Sequence, residues 1–102
     1  MKDYKQYKVH SETSVLTYNV YNSGEVFLDR CYPLEGYILY EIKATYAKSH
    51  PPSSYYVLGL SPKDAKRRLL ESCPWLFIVC LRQITGKEAD DVLKDPLRMP
   101  LK

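Results

Sequence analysis

Asn22-Ser23-Gly24-Glu25-Val26-Phe27-Leu28-Asp29-Arg30-Cys31-Tyr32-Pro33 is the stretch on which the architecture turns. Two local readings compete. Asn22-Ser23-Gly24 is a turn signal after the strand-like residues 15–21, so Val26, Phe27 and Leu28 would be the return strand of a hairpin. Phe27, Leu28 and Cys31 also have the spacing of one helix face. Short apolar runs fit either period, so the rest of the chain has to arbitrate.

A shift of 42 positions lays this stretch on a second one without a gap. Val15-Leu16 falls on Val57-Leu58, Leu28 on Leu70, Cys31 on Cys73 and Leu34 on Leu76. Leu39 falls on Leu81, Ile42 on Ile84, Ser11 on Ser53 and Ala47 on Ala89. Average composition gives roughly two or three such identities by chance. Nearly all the matches are apolar positions, as expected of a repeated packing unit.

The second copy has clear boundaries. Tyr55-Tyr56-Val57-Leu58 is a strand signal closed by Gly59 and Ser61-Pro62. Ser61 is placed to cap a helix, with Pro62 at its first position and Asp64 completing a capping box. Ala65, Leu69, Leu70 and Cys73 make the apolar stripe, and Pro74 ends the helix. Trp75 to Ile84 then predicts a buried strand, and Thr85 to Glu88 a second capping box before a short C-terminal helix carrying Ala89, Val92 and Leu93. Read back through the repeat, Ser23–Cys31 should be a helix. The expectation is therefore an α+β (mixed α/β) fold of two pseudo-symmetric β-α-β halves, about 11–48 and 53–90, sharing one core. The linker is 49–54, and 96–102 is expected to be a loose tail.

The chain has 102 residues, the size of one domain. Apolar residues are 45%, charged residues 26% and the formal net charge +3, which argues against disorder and permits an acidic partner without demanding one. Residues 51–86 carry most of the positive excess. The longest apolar run, Trp75–Leu81, is too short to span a bilayer, and Met1–Lys5 lacks the apolar core of a signal peptide. The expectation is a cytoplasmic protein with no membrane partner. Three cysteines, Cys31, Cys73 and Cys80, make no disulfide framework and read as small buried hydrophobes.

No catalytic, cofactor-binding or metal-binding set emerges. His10 and His50 lie in polar or Pro-rich segments without a local nucleophile signature, and the cysteines have no zinc-type spacing. Asp90, Asp91 and Asp95 read as a solvated helix face, and the four glycines are isolated, so no phosphate loop exists. What remains is a surplus of tyrosines, ten in all. Tyr and Trp suit interfaces because they bury large area and keep a polar tip. The leading expectation is a non-enzymatic protein- or peptide-binding module, holding its partner in a groove between the halves through Tyr37, Tyr40, Tyr55, Tyr56 and Trp75. The alternative is weak nucleic-acid binding through Lys63, Lys66, Arg67 and Arg82, which requires these cations on one face. Either state, monomer or homodimer, is compatible with the sequence.

Three stretches, Tyr18-Asn19-Val20-Tyr21-Asn22-Ser23-Gly24, Cys31-Tyr32-Pro33-Leu34-Glu35-Gly36-Tyr37 and Cys73-Pro74-Trp75-Leu76-Phe77, carry a resemblance. The chain resembles the small orphan proteins of filamentous viruses that infect the archaeal genus Acidianus. The resemblance covers the whole length and transfers no site. It implies a hot, acidic host, expression in the host cytoplasm, and a host or viral protein as partner. It also implies that a Cys31–Cys73 disulfide is worth checking, since hyperthermophilic archaea do use intracellular disulfides.

Overall fold

The computed structural model describes residues 3–96, 98 and 100. Six strands and two helices follow in the order β1 (Tyr4–His10), β2 (Ser14–Tyr21), β3 (Val26–Pro33), β4 (Ile38–Thr45), β5 (Ser53–Gly59), α1 (Pro62–Ser72), β6 (Phe77–Gln83) and α2 (Gly86–Lys94). They make an α+β fold with two antiparallel three-stranded sheets, ordered β1-β2-β3 and β5-β4-β6.

The helix expected over Ser23–Cys31 is instead strand β3, so the hairpin reading is the correct one. Gly24 decides it. Its amide donates to the Tyr21 carbonyl at 2.9 Å, and the Tyr21 amide donates to the Glu25 carbonyl at 2.9 Å. This turn-plus-bulge closure needs a left-handed residue, and Gly24 takes it at φ +92°. The matching segment in the second half has Ser61-Pro62 to start a helix. This one offers Gly24, a β-branched Val26 and an aromatic Phe27, all poor helix formers that pair well in a ladder. Ser23–Cys31 and its counterpart 42 positions on thus share a spacing of apolar residues but not a secondary structure. The sheet also gains a strand that the sequence hid: β1 occupies the polar-looking N-terminal segment.

Partners across an antiparallel ladder share a face. In the first sheet one face carries three rows: Val9–Leu16–Cys31, Tyr7–Tyr18–Leu28 and Lys5–Val20–Val26. A bulge at the Thr17/Tyr18 step leaves Asp29 without an opposite partner. The other face is mixed: Val15 and the aromatic residues Tyr4, Tyr21, Phe27 and Tyr32 stand on it beside Gln6, Lys8, Asn19 and Arg30. There Gln6 donates to Asn19 and Asp29 at 3.3 and 3.2 Å, and the Thr17 hydroxyl donates to Asp29 at 3.3 Å.

The second sheet is covered on one face by α1. Tyr40, Ile42 and Ala44 of β4 and Val57 of β5 pack beneath Ala65 and Leu69, with Leu76 closing the end. The opposite face meets the first sheet. Leu16 and Cys31 from one sheet, Leu39, Leu58 and Ile84 from the other region, and Val92 and Leu93 of α2 form a single cluster. The expected groove between the halves is therefore occupied by the protein's own side chains. α1 begins as its sequence predicts: the Ser61 hydroxyl accepts the Asp64 amide at 3.1 Å, and the Asp64 carboxylate accepts the Leu60 amide at 2.9 Å. Thr85 makes no such side-chain cap on α2, and the Glu88 carboxylate pairs with Arg82. The segment expected as linker, 49–54, already enters β5 at Ser53. Of the tail 96–102, residues 97, 99, 101 and 102 lie outside the described residues, and Pro100 is buried.

All three cysteines are free thiols. Cys31 lies in the cluster between the sheets, whereas Cys73 packs against the cluster under α1, on the other side of the second sheet. The Cys31–Cys73 disulfide is not formed.

Candidate functional site

The second sheet leaves one edge and one end of a face open. β6 pairs only with β4, so its outer edge is free of any strand among the described residues. It was expected to be buried, but only Ile78 and Leu81 turn toward the α1 cluster. The reason is position: an apolar run fits an interior strand and an edge strand equally, and sheet order is not written in the run itself. On this edge Phe77 is 64% exposed and Val79 58% exposed, and the preceding Trp75 is 61% exposed. The β4–β6 register slips between Lys43 and Ala44, which leaves Val79 as the extra residue of a bulge.

Phe77 and Val79 form one wall of a hollow of about 380 Å³, completed by Thr45, Lys48, His50 and Pro52. The β4–β5 loop supplies the opposite wall and is held by the Thr45 hydroxyl, which donates to the Ala47 carbonyl at 2.7 Å and the His50 carbonyl at 3.1 Å. Tyr46 stacks on the His50 ring, centroids 4.5 Å apart. Lys43 and Cys80 face each other across the ladder next to this hollow, and both are exposed. The lining carries cationic or neutral groups and no carboxylate.

One rung further toward the core the same face is a closed ion-pair ladder. Arg82 donates through Nε to Glu41 at 2.8 Å and also grips Glu88, while the Tyr56 hydroxyl donates to Glu41 at 3.2 Å. Burial pushes the Glu41 carboxyl up, but its hydrogen bond and charge contact with Arg82, together with Tyr56, outweigh this and hold it below its usual range. Glu88 and Glu41 in turn hold the Arg82 guanidinium firmly charged. Glu41, Arg82 and Glu88 are thus held as one paired, charged set.

The expected site residues do not come together. Tyr40 is 2% exposed beneath α1 and offers nothing to a partner. Tyr55 packs against the same cluster, and Tyr56 packs on the opposite face with its hydroxyl on Glu41. Tyr37 lies under the Arg68 guanidinium, 5.3 Å from its ring centroid, and accepts a hydrogen bond from it at 3.3 Å. Of the five, Trp75 alone stands out into solvent, beside β6. The four cations are also dispersed. Lys63 and Arg67 border a shallow surface at the start of α1, where Arg67 is paired with Asp64 and Glu71 at 2.6 Å each. Lys66 is exposed on the same helix, but Arg82 sits on the sheet face away from α1. The face that the nucleic-acid reading requires is not formed.

Sequence reasoning missed Phe77, Val79, Lys48 and His50. The run Trp75–Val79 is apolar throughout, so it carried no alternation that could have told its covered side from its open one. Among the described residues no cluster of His, Cys, Asp or Glu is arranged to hold a metal ion, and no helix is long and apolar enough to cross a membrane. No protein-family model, curated protein or solved structure matches the chain.

Proposed function

We propose that this chain is a non-enzymatic interaction module that accepts an extended, acidic peptide segment of a partner protein along β6. The observation that carries the proposal is the row Trp75, Phe77 and Val79, more than half exposed on an unpaired strand edge beside an apolar hollow. Monomeric proteins blunt such edges with charge or proline, because open amides and carbonyls template pairing. Here the edge is apolar and aromatic. Its bulge twists the strand locally without adding a charged guard.

An added strand would satisfy the open backbone groups, and alternate side chains would supply selectivity. A large apolar side chain fits the hollow between Phe77, Val79 and Pro52. Lys48 and His50 line it, Lys43 stands on the next rung of the ladder, and the lining holds no carboxylate, so an acidic residue near that anchor is favoured. On this reading the partner lies along the edge of the second sheet and not in the seam between the sheets, which the protein's own side chains fill.

Panning a displayed library of random peptides on the full chain tests the proposal. Enriched peptides should alternate apolar residues, carry a carboxylate, and lose at least about tenfold in affinity toward Phe77→Lys, a change of some 1.4 kcal/mol. Far-UV circular dichroism of that variant checks that the fold is retained. Peptides that bind Phe77→Lys as well as the parent would refute the site. So would an absence of enriched peptides alongside salt-sensitive binding of a labelled single-stranded oligonucleotide.

A further inference from the structure

The open edge of β6 has a direction. In an antiparallel ladder, successive residues turn their backbone groups alternately toward and away from the partner strand. The Ile84 amide donates to the Leu39 carbonyl at 2.9 Å, which fixes the phase. Arg82 and Cys80 therefore turn their groups toward β4, opposite Glu41 and Lys43, while Gln83 and Leu81 turn theirs outward. An added strand finds its backbone partners at Gln83 and Leu81. The hollow lies further along, past the Val79 bulge, at the Phe77 end of the strand. There the ladder stops. Thr45 opposite Phe77 is its last rung, and the β4–β5 loop brings Lys48, His50 and Pro52 to the hollow.

Charge is graded along the same stretch. At the Phe77 end stand Lys43 and Lys48, both exposed and neither with a carboxylate partner among the described residues. At the Gln83 end one guanidinium, Arg82, is shared by two carboxylates, Glu41 and Glu88. A chain on this edge meets positive charge at one end and a negative excess at the other. A peptide carries charges of its own at its two ends, an α-carboxylate and an α-amino group. Antiparallel to β6, its C-terminus falls at Phe77; parallel to β6, its N-terminus does. Only the antiparallel direction sets opposite charges together.

We propose, building on the peptide site along β6, that its ligand is the free C-terminus of a partner chain. The terminal segment adds antiparallel to β6, its last side chain is apolar and fills the hollow, and its carboxylate faces Lys48, His50 and Lys43. Strand addition and capture of a terminal carboxylate are both general modes of peptide recognition. Ammonium and imidazole N–H groups are donors to such a carboxylate. The acidic group beside the anchor is thus supplied by the chain end itself, whatever side chains precede it.

Two random-peptide libraries panned on the full chain test this, one displayed with free C-termini and one with the random segment held between fixed flanks. Enriched sequences from each are synthesised as the free acid and as the C-terminal amide. Binders should come from the free-terminus library and end in an apolar residue. Amidation should weaken them about fivefold or more, by a margin that narrows as salt rises. The double variant Lys43→Gln, Lys48→Gln should lose affinity for the acid and keep that for the amide, which also shows the variant to be folded. Acid and amide of equal affinity, both weakened by Phe77→Lys, would overturn the terminal-carboxylate proposal and leave the β6 site standing. Binders indifferent to Phe77→Lys, or none from either library, would overturn both.

Discussion

Replacing Gly59 by Ala pits two opposing effects against each other, and the structure says which wins. Gly59 ends β5, immediately before the turn into α1. Its φ is not in the left-handed region, so an alanine could adopt the backbone unstrained. On entropy alone the substitution would stabilise the fold by about 0.4–1 kcal/mol, because the unfolded chain loses freedom. The added Cβ, however, would lie 2.7 Å from the Ala65 nitrogen and 2.9 Å from its Cα. Those are backbone atoms of the first helical turn, which cannot swing aside like a side chain end. That turn is fixed by the Ala65 amide on the Ser61 carbonyl at 2.9 Å and by the Ser61 and Asp64 caps. Moving it would disturb the packing of Ala65 and Leu69, both fully buried. Overpacking of this kind costs about 1–3 kcal/mol, so the net effect is destabilisation by about 1–2 kcal/mol. For a domain of this size that lowers Tm by roughly 5–15 °C. The assay is urea and thermal unfolding followed by far-UV circular dichroism, since Trp75 is exposed and its emission reports unfolding poorly. A midpoint equal to or above that of the parent would refute the claim that strand and helix meet at this contact.

Two further outcomes are expected. The Leu60 amide, Arg68 and Arg67 hold the Asp64 carboxyl well below the usual carboxylate range, so its contribution is fully present above the unfolded value of about 3.9 and is lost as pH falls through the folded one. Thermal melts should therefore stay level through neutral pH and decline below about pH 4, and Asp64→Asn should be less stable at neutral pH with a shallower acid decline; parallel acid profiles for the two proteins would contradict this. Among the thiols, Cys80 should react with Ellman's reagent in the folded protein, while Cys31, buried and with its thiol pushed up by that burial, should react only as the protein unfolds. Mass spectrometry locating early modification at Cys31 would show that the core between the sheets is open.

Local signals were read correctly where one short segment contains all the partners. Ser61, Pro62 and Asp64 lie within four residues and start α1 by contacts among themselves and Leu60. β2, β4 and β5 follow from β-branched and aromatic runs bounded by turns. The Ser23–Cys31 stretch was misread because the apolar match to a helical segment was given more weight than Gly24 and the strand propensity of Val26 and Phe27. β1 was missed because a strand exposed on nearly its whole length has little apolar content to announce it; what holds it is the ladder to β2.

The candidate site shows the same division. The aromatic residues were visible, but exposure is not a property of a residue type. Tyr40 and Phe77 are both aromatic residues in strands, yet Tyr40 lies on the face that α1 covers, whereas Phe77 lies on the opposite face of the edge strand, and only strand order and the placement of α1 separate them. The cations were visible too, but Arg67 and Arg82 acquire acidic partners and opposite faces only on folding.

By itself, then, the sequence determined the α1 cap and the strand character of β2, β4 and β5, because these depend on interactions among near neighbours. Tertiary structure decided the pairing of β3 with β2, the filling of the seam between the sheets and the edge position of β6. Each of those depends on which distant segments meet, and a two-residue alternation states that a strand has two faces without stating what lies against them.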